Sequence, residues 1–249
     1  DTPLLGQRVS FFGSGTGVWA EYALTDISGL IPLRPDISDD DAAGLIVNPL
    51  TAMAMFEIVR RDGAESFVAT AAGSQLGKYL ISLGRDGGIG AVAVVRRAAL
   101  DAPLRALGAA DVLVTEAEDF DARSQDSLKT HQPRILLDAV GDQTSSDLFF
   151  AMPKRARWIS YGRLSTTPPQ LGLMGQFIFM EKRIEGFWLT AWFRDTAKEE
   201  IARVVGAAQA RFAEGRWKTE ITETVPLANA MRALPAAYSA KDGKVLIAP

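Results

Sequence analysis

Residues 66–84 read SFVATAAGSQLGKYLISLG, and the organisation of the whole chain can be argued outward from them. An apolar run over 66–71 (SFVATA) predicts a buried strand. It passes directly into Ala72-Gly73-Ser74-Gln75-Leu76-Gly77 and then into a helical pattern over 76–83. A strand, a turn of small residues and a helix start leave backbone N–H groups facing outward at the helix N-terminus, where a pyrophosphate can sit. At the fingerprint positions stand Ala72, Ser74 and Gly77, so only the last is glycine. Close packing of helix on strand is the competing explanation for small residues here.

The same rhythm continues. Further apolar runs lie at 91–95 (AVAVV), 111–115 (DVLVT), 134–139 (RILLDA), 157–161 (RWISY) and 183–189 (RIEGFWL). Several are near-continuous in hydrophobics, as expected for strands covered on both faces. Helical stretches at 99–107 and 145–152 fall between them. About six strands with crossovers predict an α/β fold built on a doubly wound parallel sheet of the Rossmann type.

The second strand ends Val94-Val95-Arg96-Arg97, and Arg96 stands 19 residues beyond Gly77. An NAD-selective fold keeps a carboxylate near that offset for the ribose 2′-OH. Two guanidinium groups instead favour a 2′-phosphate through charge-assisted hydrogen bonds, and so favour NADPH. Solvated arginines at a helix start are the plainer alternative. Ser160-Tyr161-Gly162-Arg163 ends the fifth strand and Phe187-Trp188-Leu189 the sixth, with Trp192 close behind. Carboxyl ends of such strands form a ligand crevice, although an aromatic cluster also suits a core.

The flanks differ. Two β-like pieces at 8–12 and 20–24 enclose the turn GSGTG, Asp39 to Asp41 begin a helix, and 49–61 (PLTAMAMFEIVRR) reads as a helix with Pro in its first turn. Residues 195–214 predict one long amphipathic helix with Ile201, Val204, Val205, Ala208 and Phe212 on one face and Gly215 as its stop. GKVLIAP predicts a final strand. Both flanks therefore read as parts of a second, mostly β body into which the sheet domain is inserted.

Composition bounds the chemistry. The 249 residues carry 27 Lys and Arg against 30 Asp and Glu, a formal net charge of −3. That balance excludes a life of general electrostatic attraction to nucleic acid or anionic membrane. No run approaches the ~20 apolar residues of a membrane span, and the first residues do not read as a signal peptide. There is no cysteine and a single histidine, His131, which excludes disulfides, thiol nucleophiles and Cys/His zinc sites. His131 lies in the polar stretch DSLKTHQPR, which reads as a surface connection. Any chemistry must come from a bound cofactor or from carboxylates.

Taken in order, GQRV, GVWAEYAL, LIVNPLTAMAM, AAGSQLGKYL, VVRRAAL, LRALGAADVLVTE, LDAVGDQTSSDL, YGRLS, IEGFWLTAW and GKVLI resemble the medium-chain dehydrogenase/reductase superfamily. VNPLTA, VVRR and IEGFWLTAW together resemble its zinc-independent branch of NADPH-dependent 2-enoyl thioester reductases of the mitochondrial type and their quinone-reductase-like bacterial relatives. The resemblance implies a Rossmann NADP-binding domain over 49–190, inserted in the remnant of a GroES-like catalytic domain over 1–48 and 191–249. It implies hydride transfer to a conjugated C=C, of a 2-enoyl thioester or alternatively of a quinone or enone. Gly73, Ser74, Gln75 and Leu76 match the loop under the pyrophosphate, and Arg96 and Arg97 the 2′-phosphate site. Asn48 matches an Asn-Pro pair beside the nicotinamide. Tyr161, Gly162, Arg163 and Leu164 match one loop at the nicotinamide end, and Phe187, Trp188, Leu189 and Thr190 the other. Lys244 matches a lysine that reaches the cofactor. The proton-donating tyrosine of the family is implied to lie upstream of residue 1, so the fragment alone is expected to be inactive; Tyr22 matches an ordinary strand position. No zinc is expected, because Ile46-Val47-Asn48-Pro49 offers no thiolate. A homodimer joined at the edge of the sheet through 187–192 is implied, in a bacterial cytoplasm or, as the alternative, a mitochondrial matrix. A non-catalytic NADPH-binding protein is the reading of another class should the chain be naturally short.

Overall fold

Residues 4–13, 17–239 and 243–249 are described in the computed structural model of the chain. Backbone contacts sort it into two units, Asp1–Thr51 with Ala197–Pro249 and Ala52–Thr196.

In the first unit, β1 (Val9–Ser10) pairs antiparallel with β2 (Ile31–Pro32). The expected strand over 20–24 is not formed: Tyr22 and Leu24 are exposed and no described strand pairs with this segment. Its alternation gives strand-like composition without a strand partner among the described residues. Part of the expected turn, residues 14–16, lies outside the described residues. The helix α1 (Asp39–Ala43) begins as its sequence requires, with the Ser38 hydroxyl accepting from the Asp41 N–H and three aspartates in the first turn. The helix α2 (Val47–Arg61) starts two residues earlier than expected, and its residues from Ala52 on belong to the second unit.

The second unit holds the sheet. Its elements are β3 (Ser66–Ala69), α3 (Gln75–Gly87), β4 (Gly90–Val95), α4 (Asp101–Leu107), β5 (Asp111–Val114) and α5 (Phe120–His131). They continue with β6 (Ile135–Asp138), α6 (Gln143–Ala151), β7 (Arg157–Ser160), α7 (Gly175–Phe179), β8 (Arg183–Gly186) and α8 (Leu189–Asp195). The six strands are all parallel in the order β5-β4-β3-β6-β7-β8. Counted from β3 this is 3-2-1-4-5-6, the order of a doubly wound dinucleotide-binding sheet. Every residue of the central β3 and β6 is buried. Phe149 of α6 anchors the core, its ring 5.6 Å from that of Trp158 and 6.0 Å from that of Phe177.

Two expectations need correction here, and a third only a shift of its start. The polar stretch around His131 is not a connection but the end of α5, with His131 its last residue. The buried face of that helix is made largely of Ser124 and Ser127, which hide the apolar period. The last strand stops at Gly186, short of 187–189, and all four of its residues are exposed, as befits a sheet edge. The long helix expected over 195–214 forms as one helix over Lys198–Ala213, starting three residues later because Thr196 and Ala197 take extended backbone.

The first unit resumes with α9 (Lys198–Ala213), β9 (Ile221–Pro226), α10 (Ala230–Ser239) and β10 (Lys244–Ala248). The predicted apolar face of α9 is buried at Val204, Val205, Ala208 and Phe212. Gln209 on that helix donates to the Pro32 carbonyl and accepts from the Arg34 N–H, tying the two parts of the unit together. β10 pairs with β9 in parallel. This unit is more helical than the mostly β body read from its sequence: its four described strands form only two-stranded sheets.

Candidate functional site: the carboxyl ends of the sheet

In an open α/β sheet the crevice for a ligand opens where the strand order reverses, outside the carboxyl ends of the strands. Here that point lies between β3 and β6. Thr70 directly follows β3, and Asp138 and Ser160 are the last residues of β6 and β7.

The loop after β3 is short and tightly held. Ala71 takes a left-handed φ of 48°, and the Ala72 N–H donates to the Val94 carbonyl of β4. Ser74 is the N-cap of α3, its hydroxyl accepting from the Gly77 N–H at 3.2 Å. A Cβ on Gly77 would lie 2.5 Å from the backbone of Ala72, and one on Gly73 2.6 Å from the Leu100 side chain. Gly77 is therefore glycine because helix and loop touch backbone to backbone. The first turn of α3 begins with Gln75 and Leu76 directly after this loop; its Gly77 N–H is taken by the Ser74 hydroxyl, and the Ser74 N–H donates to the Ala71 carbonyl.

Arg96 and Arg97 follow β4 and are both exposed. Arg97 is the residue before the short turn of helix Ala98–Leu100. No ion pair holds Arg96 among the described residues.

After β7 the chain folds over the end of β6. The Tyr161 N–H donates to the Asp138 carbonyl at 2.9 Å, the Leu164 N–H to Ala139 at 3.0 Å and the Ser165 N–H to Val140 at 2.9 Å. A Cβ on Gly162 would come within 2.9 Å of the Ala139 carbonyl oxygen, so this glycine serves a close approach of two backbone segments. Arg163 and Leu164 are exposed. The Tyr161 hydroxyl is buried without a hydrogen-bond partner. That burial, with Asp138 nearby as a lesser cause, raises its pKa well above that of an ordinary phenol.

At the end of β8, the Phe187 N–H donates to the Ser160 carbonyl at 2.8 Å. Phe187 is half-buried, Trp188 exposed, and Leu189 buried as the first residue of α8; Thr190, next in that helix, is exposed. Asn48, second in α2, and Lys244, first in β10, belong to the first unit; Asn48 is half-buried and Lys244 exposed. Among the described residues, no group of three or more His, Cys, Asp or Glu could hold a metal ion. No described helix is long and apolar enough to cross a membrane.

One constellation escapes a reading of the sequence. Asp138, fully buried at the end of β6, accepts five hydrogen bonds. Its Oδ1 accepts from the Thr70 hydroxyl at 2.6 Å, the Ser145 hydroxyl at 2.8 Å and the Val140 N–H at 3.0 Å. Its Oδ2 accepts from the Gly141 N–H at 3.0 Å and the Trp158 Nε1–H at 2.9 Å. The Thr70 oxygen in turn accepts from the Ala139 N–H at 2.9 Å. The available signal is a lone carboxylate closing the apolar run ILL.

No family model matches the chain. A protein of Mesorhizobium loti assigned as an NADPH:quinone reductase is 46% identical, the match covering 98% of this chain and 71% of that one with a TM-score of 0.92. The chain belongs to the medium-chain dehydrogenase/reductase superfamily. Within that superfamily it is also similar to the human mitochondrial enoyl-[acyl-carrier-protein] reductase, at 27% identity over 237 residues, 93% of this chain and 63% of the relative. The bovine enzyme of the same name is 28% identical over 228 residues, 89% of this chain and 61% of the relative. This superfamily member thus spans less than two thirds of the curated relatives it matches. Etr1p of Candida tropicalis, a 2-enoyl thioester reductase solved with NADP and crotonyl-CoA, shares the fold: 22% identity, TM-score 0.74, 90% of this chain and 68% of that one.

Proposed function

We propose that the chain forms the nucleotide-binding part and adjoining body of an NADPH-dependent reductase that delivers hydride to a conjugated C=C, most readily that of a 2-enoyl thioester. The observation that carries this reading is the switch point of the sheet with two exposed arginines directly after β4. The residues present fit the cofactor. Gly73, Ser74, Gln75 and Leu76 form the loop and the first turn at the start of α3, where the helix dipole favours a pyrophosphate. Arg96 and Arg97 supply the bidentate donors that a 2′-phosphate needs and that a ribose hydroxyl does not. The segment from Tyr161 to Leu164, with Phe187, Trp188 and Leu189, is assigned to the nicotinamide end; Asn48 and Lys244, in the first unit, are assigned to the cofactor by the family resemblance alone.

NADPH, when bound, supplies the hydride. The chain binds and orients it and excludes water around the acceptor, where hydrogen-bond donors stabilise the enolate that develops. Zinc has no part in this reading.

The M. loti protein's assigned activity favours a second reading, reduction of a quinone or enone at the same cofactor site. NADPH oxidation by the protein at full length, assayed in parallel with a short 2-enoyl thioester and a quinone, separates the two. Turnover of the thioester alone supports the first reading; turnover of the quinone alone replaces it with the second. Failure of both despite NADPH binding overturns both. The active unit is proposed to be a small-molecule enzyme of a bacterial cytoplasm, a homodimer joined along the exposed edge of β8.

A further inference from the structure

We infer that Asp138 is a positioning residue for this crevice, holding the loop assigned to the nicotinamide end through the turn at residues 139–141. The inference builds on the function proposed above.

Asp138 sits at the switch point itself. Thr70, which donates to it, directly follows β3; Asp138 ends β6; Trp158 belongs to the neighbouring β7; Ser145 lies in the first turn of α6. One carboxylate therefore binds together three adjacent strands and a helix at the place where the sheet opens. No lysine or arginine pairs with it among the described residues. A buried carboxylate without a cation is tolerated only where hydrogen bonds satisfy it, and here five do.

The identity of the donors decides what the group holds. Three of the five are N–H groups, of Val140, Gly141 and the Trp158 indole, which cannot reverse their direction. The Thr70 hydroxyl donates to Asp138 and accepts from the Ala139 N–H. Two successive amides of the turn, at 140 and 141, thus point at the carboxylate, and the third, at 139, points at the hydroxyl bound to it. The carbonyl side of this strip faces the other way. It accepts the N–H groups of Tyr161, Leu164 and Ser165 from Asp138, Ala139 and Val140. Gly162 passes so close to Ala139 that a Cβ would meet its carbonyl oxygen. The path is short and continuous: carboxylate, turn amides, turn carbonyls, loop. Moving the turn moves the loop, and a misplacement of about 1 Å at a reacting group costs on the order of 10²-fold in rate.

Asp138→Asn tests this. The amide has one acceptor oxygen and an NH₂ group of the wrong polarity. The hydroxyls of Thr70 and Ser145 can accept from it, but an N–H of the turn is left facing a donor whichever way it is turned. Amide exchange is measured without nucleotide. We expect exchange at 139–141 and 161–165 to quicken by about tenfold or more, the scale of one buried donor left unsatisfied, while amides of β4 and β5 keep their protection. With NADPH added, the Kd of Asp138→Asn rises about tenfold. Trp158→Phe, which removes one donor and leaves both turn amides bonded, shifts exchange at 139–141 and the Kd by less than about twofold. Should Asp138→Asn fail to fold, Thr70→Val removes the acceptor of the Ala139 N–H and is expected to loosen the same two segments. Uniformly faster exchange, or none at 161–165 beyond the rest of the sheet, overturns the inference and leaves Asp138 a stability element. Absence of NADPH binding by the wild type defeats the proposed function instead, and the exchange result still decides the role of Asp138.

Discussion

Gly77 is the one residue of the loop fingerprint that is a glycine, and the reason is contact. A methyl group placed on it would lie 2.5 Å from the Ala72 backbone, so Gly77→Ala should destabilise the protein by about 1–3 kcal/mol, read as a lower midpoint in urea unfolding. An unchanged midpoint would mean that the loop and helix can separate freely. Lys182 offers a second test. It is buried, donates to the carbonyls of Phe149 and Phe150 at 2.8 and 2.9 Å and lies 5.3 Å from the centre of the Phe149 ring. Burial pushes its ammonium down from 10.5 to about 8. Between those values the folded state releases a proton that the unfolded chain keeps, so this group makes stability rise with pH, by at most about 1.4 kcal/mol per pH unit. The gain is absent below pH 8 and complete near 10.5. Urea midpoints of wild type and Lys182→Met compared from pH 7.5 to 10 should diverge in that sense; parallel curves would contradict the assignment. Of these residues Gly77 is legible in the sequence, since it stands at a defined offset after a strand. Asp138 and Lys182 are hidden there, since the partners of a buried charge come from distant elements.

At the scale of elements, strands with continuous apolar runs can be read because burial on both faces leaves no room for polar residues. The βαβ rhythm follows from them. Elements whose boundaries depend on partners cannot be read in the same way. The segment at 20–24 has strand composition but pairs with no strand among the described residues, and α5 buries serines in place of an apolar stripe. The loop-to-helix junction at Ser74 is legible as a turn of small residues between strand and helix, but the use of Ser74 as a cap is not. Ser74→Ala should cost about 1 kcal/mol of stability, while Ser74→Gly should cost only a few tenths. Equal losses for the two, by thermal or urea unfolding, would show that the hydroxyl does not cap α3.

For the whole molecule, the parallel sheet and its switch point are readable from residues 66–189, and membership of the superfamily agrees with them. The edge strand lies at 183–186 and not at 187–192, because the aromatic run that follows β8 only mimics strand composition. That edge presents Ile184, and α7 presents Ile178 and Phe179, all exposed, an arrangement that an isolated sheet leaves open to pairing. We predict a dimer at micromolar concentration by sedimentation, and a monomer for Ile184→Asp; a monomeric wild type would contradict the edge pairing. We propose that the sheet's crevice reads the 2′-phosphate of NADPH through Arg96 and Arg97. It is tested most directly by calorimetric titration of NADPH and NADH into the wild type and the Arg96→Ala, Arg97→Ala double variant. The wild type should prefer NADPH, and the double variant should lose that preference, by about 1–3 kcal/mol for each charged hydrogen bond removed, with NADH affinity unchanged. Equal affinities in the wild type, or equal losses for both nucleotides, would contradict it.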